Sequence, residues 1–204
     1  ARAVAQHVAA AESDKDKESV CKRFYDAIAS GDFIPGGRIL FGSGRKDYNL
    51  LNCYVLQPGD SVASIGKLIQ DAYRISCAGG GIGFNFSKIR PKGDDIQNIA
   101  NSAPGSVSVM RMINEIGNHV RAGKNRRTAL IGILDVTHPD LLDFLHVKLD
   151  KKELTNFNIS VAITDRFLEA CENDENWYFT FNSRKYHIYS FNRVSKEGVD
   201  LINI

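Results

Sequence analysis

A short apolar run, a helix-length segment and a second apolar run follow one another between Leu51 and Arg90, and this order constrains the fold most. The first run is Cys53 to Leu56, and the second leads out of the clustered glycines at 79–83. The segment between them, from about Val62 to Ser76, carries apolar residues at helical spacing. Strand, helix and strand in this order predict parallel strands that are joined by a crossover helix.

The same alternation continues along the chain and predicts an α/β fold with about five core strands. His138 and Pro139 mark one helix start, where Pro139 suits the first helical position. Aromatic residues such as Trp177 read as core rather than as a platform for bases. We predict strands at 39–41, 53–56, 82–86, 129–134, 156–163 and after 177, and helices over 1–30, 62–76, from 106, from 138 and over 165–171.

Composition fits one domain or a large part of one. The 204 residues are 43% hydrophobic, and a formal net charge of +2 is too small by itself to indicate a nucleic-acid surface. No run approaches the length of a membrane span, and the first residues lack the apolar core of a signal peptide, so we expect no membrane partner. The five histidines are scattered, and we assign none to a metal.

The cysteines indicate a reducing setting. Their spacing is wide and irregular with no Cys-x-x-Cys pair, which is typical neither of a zinc site nor of a disulfide scaffold. We therefore expect a cytoplasmic protein. The four cysteines are Cys21, Cys53, Cys77 and Cys171.

Reactive groups surround the glycine cluster. Cys53 opens the strand at 53–56, and Asp60 with Ser61 follows that strand at a helix start. Arg90 ends the strand that follows the glycines, with Lys92 just beyond. We interpret the stretch as the wall of a nucleotide site that contains a redox-active thiol. The plainer alternatives are a buried strand cysteine, glycines that only serve a turn, a simple helix cap and an exposed strand-end charge.

A cluster of basic residues occupies the loop at 121–128, which includes Arg126 and Arg127. Such a cluster suggests a local anionic ligand, and its alternative is a solvated basic turn. The segment at 91–104 predicts a second long loop, and long loops in compact domains are often functional.

These residues, taken in order, resemble the catalytic subunit of ribonucleotide reductases. The later runs are most similar to the adenosylcobalamin-dependent (class II) branch. The resemblance covers about residues 35 to 171. The motifs are Leu51-Asn52-Cys53, Gly59-Asp60-Ser61, Gly79 to Gly83, Ile89-Arg90, Gly123 to Arg127, Gly132-Ile133-Leu134, His138-Pro139-Asp140 and Asn156 to Val161.

The resemblance implies the first part of a ten-stranded α/β barrel that is preceded by a short helical segment. Residues 1–33 would be the helical N-terminal segment. Residues 34–204 would be a partial α/β barrel with effector and substrate loops, incomplete without further sequence. We expect a cloned or processed piece, or one half of a split enzyme.

The resemblance also implies thiyl-radical reduction of ribonucleoside di- or triphosphates to deoxyribonucleotides. Cys53 matches the catalytic cysteine that delivers reducing equivalents. The matched substrate-binding residues are Asn52, Gly81, Arg126 and Arg127. The matched residues for a deoxynucleoside triphosphate effector are Asp60, Ser61, Arg90 and Lys92.

For the full enzyme the resemblance implies adenosylcobalamin as cofactor and a thioredoxin- or glutaredoxin-type reductant. It also allows a homodimer or a complementing C-terminal chain. The family's radical-forming cysteine and the second cysteine of its redox pair have no match here, so we expect the isolated chain to be inactive. Two alternatives stay open: a class I large subunit that depends on a di-metal partner, and a module that only binds a nucleotide effector.

Overall fold

The computed structural model describes residues 1–46, 48–97, 99–120 and 128–189, with the backbone alone at 187–189. Within these residues helices and strands alternate much as the sequence predicts. The elements are α1 (Arg2–Ala9), α2 (Lys17–Ser30), α3 (Gly37–Gly42), β1 (Cys53–Leu56), α4 (Val62–Cys77), β2 (Gly81–Asn85), α5 (Ser106–His119), β3 (Leu130–Asp135), α6 (Leu141–His146), β4 (Phe157–Ala162), α7 (Asp165–Glu172), β5 (Trp177–Phe181) and β6 (Arg184–Tyr189).

Strands β1 to β4 form one parallel sheet in the order of the sequence. The register pairs Cys53 with Gly81, Gly83 with Ile131, and Ile131 with Asn158. Helices α4, α5 and α6 lie in the three connections between these strands, as parallel pairing requires. The predicted α/β fold with a parallel sheet and short N-terminal helices is therefore confirmed.

Within the described residues, helices cover one face of the sheet and leave the other face open. Side chains alternate between the two faces along each strand. An added Cβ on Gly132 would lie 2.7 Å from the Met110 Cε, so α5 packs directly on the covered face. On the open face Val55 is 84% exposed. The covered face is lined by Ile82, Phe84, Leu130, Leu134 and Phe157, each at most 3% exposed.

Two local predictions are wrong. Residues 39–41 belong to α3 rather than to a strand, because the chain turns into a helix at Gly36, where the Leu40 amide donates to the Gly36 carbonyl. The parallel sheet therefore has four strands within the described ranges, rather than about five. Pro139 also lies one residue before the N-cap position, which Asp140 occupies, rather than at the first position of α6.

A two-stranded antiparallel hairpin, β5 and β6, contacts the segment that follows β3. The Trp177 Nε1 donates to the Val136 carbonyl at 3.1 Å, and the Trp177 ring lies edge-on to Phe167. Trp177 is thus a packing residue, as predicted. None of the helices described is both long and apolar enough to cross a membrane.

Candidate active and effector sites

Cys53 begins β1 at the amino end of the sheet, and its thiol is free and exposed. The Gly81 amide donates to the Asn52 carbonyl at 2.8 Å, which fixes the neighbouring strand beside it. A Cβ built on Gly81 would lie 4.0 Å from the Cys53 Sγ and 3.5 Å from the Ala129 carbonyl oxygen. The backbone of Gly81, which has no side chain, therefore lies next to the Cys53 thiol. This thiol is outside the apolar core and accessible from the open face.

Asn52 lies between this thiol and the start of α3. A Cβ on Gly36 would lie 3.5 Å from the Asn52 Nδ2, so the amide side chain reaches the glycines that open α3. The Asn52 backbone simultaneously joins β1 to Gly81. Asn52, Gly81 and Cys53 are thus brought together at one edge of the sheet.

Arg38 is a residue of this edge that the sequence pattern did not single out. Its side chain is buried, with 6% of the residue exposed, and its guanidinium donates to the carbonyls of Ala78 and Gly79. Gly79 has a φ of +72°, and the turn it makes leads into Gly81. Arg38 therefore stabilises the turn that brings bare backbone to Cys53. The signal in the sequence that could have identified Arg38 is a basic residue directly before the apolar run at 39–41.

Asp60 and Arg90 meet at the opposite, carboxyl end of the sheet. The Arg90 Nε donates to Asp60 Oδ2 at 2.8 Å, and the Arg90 backbone amide donates to Oδ1 at 3.2 Å. The Arg90 Nη1 donates to the Asp95 carbonyl at 2.7 Å. Within the described part of the chain the Arg90 Nη2 makes no hydrogen bond, so this nitrogen is available to a ligand.

Ser61 and Lys92 lie close to this pair but are already engaged. Ser61 caps α4: its Oγ accepts from the Ser64 amide at 3.1 Å, and the Ser64 Oγ accepts from the Ser61 amide at 3.2 Å. The predicted cap is therefore confirmed. The Lys92 Nζ lies 3.6 Å from Asp143 and is well exposed. Its backbone amide donates to Asp140 at 2.9 Å.

The basic loop at 121–127, with Arg126 and Arg127, lies outside the described residues. Its two ends are held together, because the Thr128 Oγ1 donates to the Val120 carbonyl at 3.2 Å. Ala129 follows directly, and its carbonyl accepts from the Ile82 amide at 3.0 Å. The base of the loop is therefore at the amino end of the sheet, near Cys53 rather than near Asp60.

His138 is buried, with 2% of its surface exposed. Its Nε2 lies 2.8 Å from the Ile89 carbonyl, and its Nδ1 accepts from the Asp140 amide at 3.1 Å. These two partners require a neutral ring with the proton on Nε2. Burial lowers the pKa of His138 below its ordinary 6.5, against the opposing effects of the Ile89 carbonyl and of Asp140, Asp135 and Asp94.

The lowered pKa of His138 predicts that the protein loses stability in mild acid. Below about pH 6.5 the unfolded chain takes up a proton at this ring while the folded chain does not. The stabilising contribution is therefore complete above that pH and is lost as the pH falls towards the folded-state pKa. Denaturant midpoints measured between about pH 8 and 5 should fall more steeply for the wild type than for His138→Gln. Equal slopes would contradict the assignment.

Two models of known protein families match the chain. Residues 51–199 match a family model described as "Ribonucleotide reductase, barrel domain", and residues 1–48 match "Ribonucleotide reductase, all-alpha domain".

Curated relatives of the chain are named as ribonucleoside-diphosphate reductases. The chain is 38% identical to the "Vitamin B12-dependent ribonucleoside-diphosphate reductase" of Thermoplasma acidophilum over 75% of this chain and 20% of that protein. It is also 38% identical to the protein of that name from Mycobacterium tuberculosis, over 82% of this chain and 25% of that protein. It is 27% identical to "Ribonucleoside-diphosphate reductase subunit alpha" of Bacillus subtilis over 82% of this chain and 25% of that protein. The chain thus spans a fifth to a quarter of these relatives' lengths, and it belongs to the ribonucleotide reductase family.

Proposed function

We propose that this chain is part of a reductase that converts ribonucleoside di- or triphosphates to deoxyribonucleotides by thiyl-radical chemistry. The observation that carries the proposal is the free Cys53 thiol beside the bare backbone of Gly81. Replacing the 2′-hydroxyl by hydrogen takes two electrons, and the oxygen leaves as water. Two thiols supply the electrons and the protons and end as one disulfide.

In this reaction Cys53 is one of the two thiols, and the second belongs to another part of the complete protein. A thioredoxin- or glutaredoxin-type protein would reduce the disulfide by thiol exchange. Asn52 and Gly81 would hold the ribose and phosphate side of the substrate. Arg126 and Arg127 would contact its base or phosphate, which is supported by the position of the loop base at the Cys53 end of the sheet.

We infer that the four parallel strands are part of a ten-stranded barrel. Parallel sheets are normally covered on both faces, whereas the face that carries Val55 is open here. Strands β1 and β4 each lack a neighbour on one side within the described residues. Further strands of the complete protein would cover that face and pair with those edges. In this assignment residues 1–33 are the helical N-terminal segment and residues 34–204 are the partial barrel.

We propose adenosylcobalamin as the cofactor of the complete protein, on the strength of the names of the 38% identical relatives. The buried His138 does not fit a cobalt ligand, because both nitrogens of its ring are hydrogen-bonded. The cofactor's binding residues would then lie in other parts of the complete protein. Activity of the complete protein that depends on added cobalamin would separate this proposal from a class I, di-metal-dependent subunit.

We propose that Asp60 and Arg90 bind a deoxynucleoside triphosphate effector, with Ser61 and Lys92 beside them. Asp60 would accept from a sugar hydroxyl, and the guanidinium of Arg90 would donate to phosphate oxygens. The existing contact between the two residues keeps Arg90 at the carboxyl end of the sheet before any ligand arrives. Effector bound there and substrate bound near Cys53 would be coupled sites, as base selection by an effector requires.

Calorimetry of the complete protein with deoxynucleoside triphosphates tests this effector site. We expect Asp60→Ala and Arg90→Ala each to weaken binding by about tenfold to a hundredfold, because each removes charge-assisted hydrogen bonds. Lys67→Ala is the matched control, since it removes an exposed ion pair with Asp71 elsewhere on α4. Absence of nucleotide binding to the folded wild type would refute the proposal.

A second candidate function is a nucleotide-binding module that associates with another chain, as a homodimer or with a complementing C-terminal chain. It is favoured by the complete Asp60–Arg90 contact in a chain that offers only one matched redox cysteine. On either reading the 204-residue chain alone should not reduce ribonucleotides. Turnover by the purified chain would contradict two proposals: that the second thiol belongs to another part of the complete protein, and that this chain is only part of the barrel.

A further inference from the structure

Both ends of the loop between β2 and α5 are held by one buried carboxylate. Asp140 is 6% exposed. Its Oδ1 accepts from the Lys92 amide at 2.9 Å, where the loop begins. Its Oδ2 accepts from the Ser106 amide at 2.8 Å and from the Ser106 Oγ at 2.9 Å, where the loop ends. A single side chain thus fixes the distance between the start and the finish of this segment.

The contact at the far end of the loop leaves no space for a side chain. Gly105 has a φ of +80°, and a Cβ there would lie 2.7 Å from Asp140 Oδ2 and 2.9 Å from the Lys92 amide nitrogen. The two ends of the loop and the carboxylate are therefore packed in direct contact. Such close packing allows little independent movement of the two ends.

The turn that contains His138 and Asp140 also holds Ile89, the residue that precedes Arg90. His138 Nε2 donates to the Ile89 carbonyl, while Asp140 accepts from the Lys92 amide. Arg90 lies between these two fixed points of the backbone. Its own amide and Nε donate to Asp60. Three of these four hydrogen bonds involve backbone atoms, those of Ile89, Arg90 and Lys92, and they therefore determine where the Arg90 backbone lies.

We propose that Asp140 is a positioning residue for nucleotide binding: it joins the two ends of the 91–105 loop and thereby places Arg90 against Asp60. This inference rests on the proposed effector site. It assigns to Asp140 no contact with the nucleotide. A ligand that bears a triphosphate would meet an Arg90 that is already held in place, so binding would not have to order the loop. Loss of the carboxylate would require the ligand to order both ends.

The test is Asp140→Asn in the complete protein. The amide can accept at one position, but its NH2 group must face a backbone N–H at the other, so one end of the loop is released. Ser106→Ala is the milder variant, because it removes the hydroxyl contact and keeps the backbone contact. Asp165→Asn, at an exposed aspartate in the first turn of α7, is the matched control.

Three measurements separate positioning from general damage. Hydrogen exchange without nucleotide reports on residues 89–106, calorimetry reports the Kd for each deoxynucleoside triphosphate, and the alkylation rate of Cys53 reports on the other end of the sheet. We expect faster exchange and about tenfold weaker binding in Asp140→Asn, a smaller loss in Ser106→Ala, and unchanged alkylation in both. Asp165→Asn should match the wild type in all three measurements.

Wild-type affinity in Asp140→Asn, or unchanged exchange in the loop, would overturn the inference. Ser106→Ala decides the question if Asp140→Asn does not fold, because unchanged exchange and affinity there would also overturn it. If the wild type binds no deoxynucleotide, the effector proposal fails, and the exchange measurement still decides whether Asp140 holds the loop.

Discussion

Cys53→Ser in the complete protein is expected to reduce ribonucleotide turnover to background while nucleotide binding persists. Serine keeps the size of the side chain, but its hydroxyl cannot form a disulfide or deliver the two electrons that the reaction needs. Because the thiol is exposed beside Gly81 and outside the core, the substitution should not disturb folding. Formation of deoxynucleotide in the presence of a dithiol reductant measures the effect.

Cys77→Ser provides the control for this substitution. Cys77 is also a free, exposed cysteine, but it ends α4 and has no assigned role. Its replacement should leave turnover at the wild-type level. Normal turnover in Cys53→Ser would show that the electrons reach the substrate by another route, and it would remove the main support for the proposed reaction.

Gly105→Ala is expected to cost about 3 kcal/mol of unfolding free energy, from backbone strain of about 1–3 kcal/mol at φ +80° and ψ 173° and from overpacking of about 1–3 kcal/mol. The new Cβ would lie 2.7 Å from Asp140 Oδ2, 2.8 Å from the Lys92 Cβ and 2.9 Å from the Lys92 amide nitrogen. Two of these three nearest neighbours are backbone or backbone-attached atoms that cannot rotate away. Denaturant unfolding of the variant and the wild type measures the difference.

Gly93→Ala separates the two contributions. Gly93 has a φ of +81° in the same loop, yet a Cβ there would meet nothing within 4 Å. This variant should lose only the backbone contribution, about 1–2 kcal/mol. If the two variants lost equal amounts of stability, the close packing around Asp140 would contribute nothing, which would contradict the geometry.

Much of the sheet could be predicted from the sequence because its signals are local. The apolar run at 53–56, the cap at Ser61 and the helical spacing beyond it define β1 and α4 without help from distant residues. The three-residue run at 39–41 was misassigned because so short a run has no measurable period. Its helix is stabilised by a contact between Arg38 and Ala78, which are 40 positions apart.

The residues of the candidate site could be predicted from the sequence, but the contacts between them could not. Cys53, Gly81, Asp60 and Arg90 could each be named from motifs, whereas the direct contact between Asp60 and Arg90 spans 30 positions and depends on sheet register. From the sequence, Asp140 could be placed only at the start of a helix. Its partners lie 48 and 34 positions away, and no local pattern marks such bonds.

The open face has a consequence for the chain in isolation. Strands β1 and β4 present peptide groups that have no partner in the described structure, and the adjoining surface carries the apolar Val55. Such borders can recruit strands from neighbouring molecules. At high concentration the chain alone is therefore expected to self-associate into β-rich aggregates. Co-expression with the segments that complete the barrel should prevent this association.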